Sequence, residues 1–412
     1  MAKLIVLFIT AFVDMVGLVM VLPLLPYYAT EFGANALMVG VLISAFSIAQ
    51  LAFSPVWGRV SDRYGRRPAI LIGLVITAVA YVVFAFSGSL AVLLVSRIVQ
   101  GIGGGTIGVV QAYVADASPP EERTKSLGWL TAVTSFGAVV GPAFGSLLDQ
   151  LGGRRAPGLA AATLALLVAG FAWRFLRESK GMRASGAFAP GTTTPPPTTG
   201  RAAIWRVIAR WHEPAPRLIW IYAVAIGAFY GTVPTMPLLL VQRMGITEHT
   251  VGYIIMYLGG MGVVVRAGFL GGLVDRLGEA RLSRLGIVLL AAGLALMSFI
   301  HSWPVLILSI TLMPLGTAFL FPCVSGTLTR VIPSGERGLY LGVQHTFGGM
   351  SRVAFPICAG AVMDAFGRDV PFWMAALLVI ATLPLTREME AYAQQVPAPH
   401  EAVLATPKSI TF

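Results

Sequence analysis

Residues 97–108 read RIVQGIGGGTIG. Within them Gly103, Gly105 and Gly108 satisfy G-x-G-x-x-G, a spacing that cradles a pyrophosphate when it lies between a strand and a helix. Here the glycines sit inside a largely apolar run over 90–115, with no strand signal ahead of them. On a helix, Arg97, Gln100, Gly101, Gly104, Gly108 and Gln111 advance by three or four and share one face. Small residues on such a face let backbones approach closely, so a packing seam accounts for the glycines. It does not account for Arg97. A nucleotide loop is excluded, and the stretch reads as a membrane helix carrying charge where charge is expensive.

Composition points the same way. The chain has 412 residues, 56% of them hydrophobic and 11% charged, with a mean hydropathy of +0.80. A water-soluble surface of that size needs more polar groups, so the bilayer is the expected solvent. The net charge of +11 is scattered between apolar runs and forms no stripe, which argues against a nucleic-acid partner. Cys323 and Cys358 lie in apolar segments without metal-ligand spacing and read as small buried residues.

A crossing of ~30 Å needs ~20 apolar residues. Twelve such segments are expected, at 4–27, 36–58, 69–88, 90–115, 127–149, 156–176, 217–242, 249–271, 282–300, 304–329, 338–363 and 370–386. The first ends in PLLPYY and contains Asp14, unlike a cleaved signal peptide. With the N-terminus inside, most of the 29 Lys and Arg fall on the cytoplasmic side. Arg154, Arg155, Arg243 and Arg368 fall on the other, and Arg97, Arg266 and Arg352 lie within spans. That bias places both termini in the cytoplasm.

The halves repeat. GRVSDRYG at 58–65 recurs as GGLVDRLG at 271–278, PLLP at 23–26 as PTMP at 234–237, and Arg123 after PPEE matches Arg337 after PSGE. The fold class is therefore an all-α membrane protein of twelve helices in two pseudo-symmetric six-helix halves. The halves are 1–176 and 217–387. They are joined by a cytoplasmic linker at 177–216, whose Pro-, Gly- and Thr-rich middle is expected to be flexible, and followed by a tail at 388–412 expected to be disordered.

On these residues the whole chain resembles the major facilitator superfamily, in particular its twelve-helix, tetracycline-efflux-like drug:proton antiporters. Gly58, Asp62, Arg63, Gly65, Arg66 and Arg67 match the superfamily's signature between helices two and three, echoed by Asp275 and Arg276. RIVQGIGGG is similar to the fourth-helix motif. GAVVGPAFG at 137–145, through Gly137, Gly141, Pro142 and Gly145, is similar to the fifth-helix antiporter motif and implies antiport. The resemblance further implies a major facilitator fold, the plasma (inner) membrane of a bacterium, and a cytoplasmic latch. In that latch Asp62 and Arg66 act with the ends of helix four, near Asp116, and helix eleven. Tetracycline exporters carry membrane acids in helices three and nine; here YVVFAF and GIVLLAAGLALM have none.

Asp14 is the one carboxylate well inside a span. Central charges cost ~2.5–3.5 kcal/mol on insertion scales and usually face an interior cavity with partners. Asp14 and Arg97 lie at compatible depths. They read either as a fixed interhelical pair or as a proton switch, in which Asp14 binds H⁺ and substrate displaces it; antiporters resembling this chain place an acid there. Arg352, with Gln344 and His345 a turn or two before it, is a candidate for the cavity wall, together with Gln100 and Gln111. Tyr27, Tyr230, Phe229, Met15 and Met236 are candidate apolar walls, and Arg266 a snorkelling charge. Pro23, Pro26, Pro234, Pro237, Pro314 and Pro322 suit bending helices.

No catalytic cluster, metal spacing or Walker sequence stands out, so the chain reads as no enzyme, with H⁺ as coupling ion and no other cofactor. The expected function is proton-coupled export of amphipathic organic compounds by alternating access, by a monomer whose partners are membrane lipid and a small organic substrate. The alternatives are an uptake carrier or uniporter for a polar metabolite or organic anion, favoured by one deep acid against three arginines, and a lipid flippase or non-transporting receptor.

Overall fold

The computed structural model of the chain describes residues 2–119, 122–176, 178, 200–333 and 336–390, and every regular element among them is helical. Residues 177 and 179–199 of the linker expected at 177–216, and 391–412 of the tail expected at 388–412, lie outside the described residues. The first half comprises α1 (Ala2–Val21), α2 (Leu25–Glu31), α3 (Ala36–Tyr64), α4 (Arg66–Ala85), α5 (Leu90–Gly104), α6 (Ile107–Ala117), α7 (Arg123–Gly152) and α8 (Ala156–Phe175). A connecting helix, α9 (Gly200–Ala209), follows. The second half comprises α10 (Pro214–Thr232), α11 (Met236–Met244), α12 (Glu248–Gly268), α13 (Leu270–Leu277), α14 (Glu279–Met297), α15 (Trp303–Val331), α16 (Arg337–Phe366) and α17 (Val370–Ile380).

Among the described residues, ten helical stretches are long and apolar enough to cross a bilayer. Two of the expected crossings fall outside that set. α16 has 30 residues but carries Gln344, His345, Arg352 and a run of glycines, while Val370–Thr386 is a shorter apolar helix. Large exposed apolar residues such as Val79, Leu166, Leu167, Leu308 and Leu377 suit a lipid-facing surface rather than a watery one.

Five expected helices are broken, the eighth (249–271) at Phe269 and the twelfth (370–386) after Ile380 among them. The first opens after Val21 around Pro23, and the seventh passes through a 3₁₀ turn at Val233–Thr235 that contains Pro234. The fourth breaks at Gly105–Thr106, so the single polar face read over 97–111 is divided between α5 and α6. Carbonyls near that break find side chains: Trp57 Nε1 donates to Ile102 O at 2.7 Å and Gln50 Nε2 to Gly104 O at 3.2 Å. Buried backbone groups in lipid need such partners. Pro314 and Pro322, by contrast, sit inside an unbroken α15.

The duplication is visible in the backbone. Among the described residues the positive-φ positions are all glycines, and they pair across the halves: Gly33 with Gly245, Gly65 with Gly278, and Gly153 with Gly367. Gly65 and Gly278 close the repeated loop motif, where a left-handed turn separates two helices.

The halves meet along two equivalent seams, α3 on α16 and α7 on α12. A Cβ on Gly40 would clash with the Pro356 carbonyl, and one on Gly252 with the Pro142 carbonyl; the two contacts are related by the repeat. Both lie at the end of the bundle opposite the basic loops around Arg66, Arg281 and Arg330. Polar contacts reinforce this opposite end. Asp364 accepts from the backbone N–H groups of Ala36 and Leu37, each at 2.9 Å, at the start of α3, where a carboxylate also complements the helix dipole. Ser146 Oγ donates to Glu248 O and accepts from Gly252 N, and Tyr27 Oη donates to Ile246 O at 3.0 Å. At the basic end, Gly58, Gly128, Gly268 and Gly342 have open space around them.

α9 lies within the segment read as linker. Its Ala203 and Val207 are buried, and Trp220 Nε1 donates to Val207 O at 3.0 Å. Burial pushes the Glu213 carboxyl up, but hydrogen bonds from Arg206 and Arg210 outweigh it and hold it below its usual range.

Gly40→Ala and Gly252→Ala should each lower thermal stability in detergent, by about 1–3 kcal/mol of overpacking. Melting temperatures unchanged from wild type in both variants would show that the seams are looser than described.

Candidate functional site

The first half holds a buried polar group around α1, α4 and α5. Arg97 is 1% exposed and Gln100 3%. The Arg97 guanidinium donates to Gln100 Oε1 and lies 5.1 Å from the Phe46 ring centroid, a cation–π contact. No carboxylate pairs with it among the described residues, and its Nε is buried without a hydrogen bond. The fixed Asp14–Arg97 pair is therefore not present in this structure. The hydroxyl of Tyr81 of α4 lies within electrostatic reach of both. The Gln100 amide is beside that hydroxyl, but neither Tyr81 Oη nor Gln100 Nε2 completes a well-formed hydrogen bond. Asp14 lies within α1 and keeps some accessible surface.

The glycines of the opening stretch pack. A Cβ on Gly101 would clash with Phe46 O of α3, and one on Gly103 with the Thr77 hydroxyl of α4. Farther along, Gly108 and Gln111 are exposed on α6. An amide facing lipid is costly, so an exposed Gln111 within a span suits a polar surrounding rather than lipid.

The fifth-helix motif positions the acid-bearing helix. Gly137, Gly141 and Gly145 form a ridge at i, i+4 and i+8 of α7 and receive Phe12, Val16 and Met20 of α1. Close backbone approach of this kind is the membrane substitute for a hydrophobic driving force. Pro142 lies in the same stretch and supplies the carbonyl that meets Gly252.

In the second half, Arg352 of α16 lies 5.0 Å from the Tyr230 ring centroid. Gln344 is buried and accepts from Ser325 Oγ at 3.2 Å, while its Nε2 has no partner. His345 is exposed and meets Tyr222 edge-on at 6.4 Å. Tyr230, Phe229 and Met15 keep accessible surface. Two of the expected apolar wall residues do not, and the wall candidates Gln100 and Gln344 are buried as well. Tyr27 is committed to the opposite-end seam through Ile246, and Met236 is wholly buried. Both sit beyond the helix breaks at Pro23 and Pro234, which turn them into the closed end.

At the basic end Arg66 bonds Asp116 at 3.2 Å, Asp62 at 3.0 Å and Ser61 Oγ at 2.8 Å. Arg67 donates to Trp173 O; Asp62, Arg63, Asp275 and Arg276 are exposed. Glu178 accepts from the N–H groups of Arg66 and Arg67 at the start of α4, at 3.0 and 3.3 Å. The second half repeats the Arg66–Asp116 pair with its charges exchanged: Glu279 pairs with Arg330 at 2.9 Å. At the opposite end, Tyr28 donates to Asp149 at 2.5 Å and His249 Nδ1 lies 3.1 Å from Asp149 Oδ2. Asp149, Glu248 and His249 bring one ligand atom each within 4.8 Å of one another. With Tyr28 and His249 already against the Asp149 oxygens, the cluster serves as a clamp between the halves.

A family model described as Major Facilitator Superfamily matches residues 7–282 and 218–408. The chain belongs to the major facilitator superfamily. As a superfamily member it is a transporter rather than an enzyme. It is 28% identical over 384 residues to multidrug resistance protein 2 of Bacillus subtilis (strain 168), covering 93% of this chain and 94% of that one. It is 27% identical to the class B tetracycline resistance protein of Escherichia coli, covering 89% of each. In fold it is similar to a bacterial homologue of the human lysosomal transporter Spinster in an inward-facing and occupied conformation, with TM-score 0.77, 14% identity, and 96% and 98% of the two chains covered. It is also similar to the human organic anion transporter MFSD10, with TM-score 0.66, 24% identity, and coverage of 94% and 99%.

Even a buried ion pair can be replaced by apolar side chains of similar volume at no loss or with a gain of about 1–4 kcal/mol, and an unpaired charge lacks the pair's compensating attraction. Arg97→Met should therefore melt at or above the wild-type temperature while losing transport. A strongly destabilised Arg97→Met would mean that the guanidinium has a partner the structure does not place beside it.

Proposed function

We propose that this superfamily member is a proton-coupled antiporter that exports amphipathic organic compounds by alternating access. The reading includes twelve crossings, a monomer, a bacterial inner membrane and cytoplasmic termini, so that the basic end faces the cytoplasm. The observation that carries it is Asp14, a partly accessible carboxylate inside a span without an ion-pair partner among the described residues, near the same Tyr81 hydroxyl as the unpaired Arg97. Its proton affinity depends on water and on how close that guanidinium stands. Both change when a cavity between two halves opens on one side and then the other.

The seams support the cycle. The opposite end is clamped by Gly40, Gly252, Asp364 and Tyr27, whereas glycines at the basic end face open space. This arrangement suits an inward-facing state, the conformation named for the similar Spinster homologue. In the reverse state the clamp would part, and the signature loop, with Arg66 held by Asp62 and Asp116, would close the basic end. Drug-resistance relatives at 27–28% identity favour export of apolar organic compounds. The half-buried Met15 and Phe229 and the exposed Tyr230 offer adaptable walls for them.

A carrier of organic anions that moves no protons is the second reading, favoured by Arg352 and by the similar MFSD10 fold. Proteoliposomes separate the two. With a panel of amphipathic compounds, substrate addition should release protons in wild type and none in Asp14→Asn. Proton movement of the same size in Asp14→Asn would remove this carboxylate from the coupling role.

A further inference from the structure

The second half carries positive charge that nothing within it answers. Arg352 lies near the middle of α16, with its Nε buried and without a hydrogen bond. No carboxylate lies within ion-pair distance of it among the described residues. Arg266 of α12 is likewise unpaired, and both arginines lie within electrostatic reach of the Tyr222 hydroxyl. His345 is also within reach of Arg352. The acids of this half lie at its ends: Glu248, Asp364 and Asp369 at the opposite end, Asp275, Glu279 and Glu336 at the basic end. Around Tyr222, then, two permanent cations stand with aromatic rings and one unsatisfied amide, that of Gln344.

A guanidinium stays charged at any accessible pH and presents a planar fork of donors suited to a carboxylate or sulfonate. Its retention inside a span, where charge is expensive, is explained if an occupant brings the countercharge. A cationic compound would meet repulsion from Arg352 and Arg266 on this side of the cavity, with Asp14 the only central acid to offset it. We infer that the transported compound carries an anionic group, a carboxylate or sulfonate on an apolar body, and that Arg352 is its anchor while Tyr230 and Phe229 contact the apolar part. Forked, charge-assisted donation would fix the anionic group; Arg266 lies on the approach from the basic end and raises the local concentration of anions.

This inference rests on the transport reading above but not on proton coupling, so its test reads binding alone. The probes are matched triplets in which one aromatic body carries a carboxylate, an amide or an amine: indole-3-acetate, indole-3-acetamide and tryptamine, with the corresponding naphthalene and biphenyl sets. Binding is followed by thermal stabilisation of the full-length protein in detergent. At least one carboxylate should stabilise wild type at concentrations about tenfold or more below those its amide and amine need. Arg352→Gln should lose that preference, and Arg352→Lys should keep part of it. Arg352→Gln should keep the wild-type melting temperature without ligand, which separates lost binding from misfolding. If Arg352→Gln does not fold, the charge preference in wild type and its weakening in Arg352→Lys still decide. Acids binding no better than amines, absence of response to any acid included, would overturn the proposal, as would full acid preference in Arg352→Gln. Acid binding without proton release in proteoliposomes would sink the coupling reading and leave this one standing.

Discussion

A charge inside hydrocarbon must face water, a partner or a bound ligand, and three charged side chains of this chain stand well inside its spans. Asp14, Arg97 and Arg352 are not neutralised by one another among the described residues. Such residues are tolerated when the bundle encloses a cavity. In the proposed cycle the helices around them do not close into a solid core, and the two halves separate. Tyr81, Gln100 and Gln344 belong to the same account: each is a buried polar side chain whose bonding is incomplete in this state. Groups left unsatisfied in one conformation are available to a ligand or to a rearranged neighbour in another.

Separable halves still need a tight closure at one end. Small residues provide it, because in lipid close packing takes over from the hydrophobic effect. The two contacts Gly40–Pro356 and Gly252–Pro142 are copies of one device. Asp364 on the first turn of α3 and the Asp149–His249 contact add polar fastening that water or a changed charge state can loosen. The ridge Gly137, Gly141 and Gly145 works differently: it stays within the first half and sets α1, the helix that holds Asp14, closely against α7.

Much of this was legible from sequence because it follows from period and repeat. Apolar run lengths gave the helices, and the recurrence of the loop motif matches the paired glycines that now appear in the backbone. The role of the GIGGG run as packing surface followed from its setting. What sequence could not give was which polar residues meet. Tyr81 sits in YVVFAF, a stretch notable there for lacking an acid, and a lone phenol in an apolar run carries no signal of what it touches. The Glu279–Arg330 pair was within reach, since the repeat maps Arg66 and Asp116 onto those two positions with signs exchanged. Tyr27 and Met236 fell on the closed end because helix breaks at Pro23 and Pro234 redirect the chain, and the angle of a proline break is not written in the residues around it.

The central claim is that Asp14 faces a water-filled space continuous with the basic end of the bundle. Its most direct measurement is labelling of Asp14→Cys, in a background with Cys323→Ser and Cys358→Ser, by a charged, membrane-impermeant methanethiosulfonate reagent in oriented vesicles. The account predicts modification from the basic end, faster than from the opposite end. A thiol at position 14 that the reagent never reaches from the basic end would contradict it.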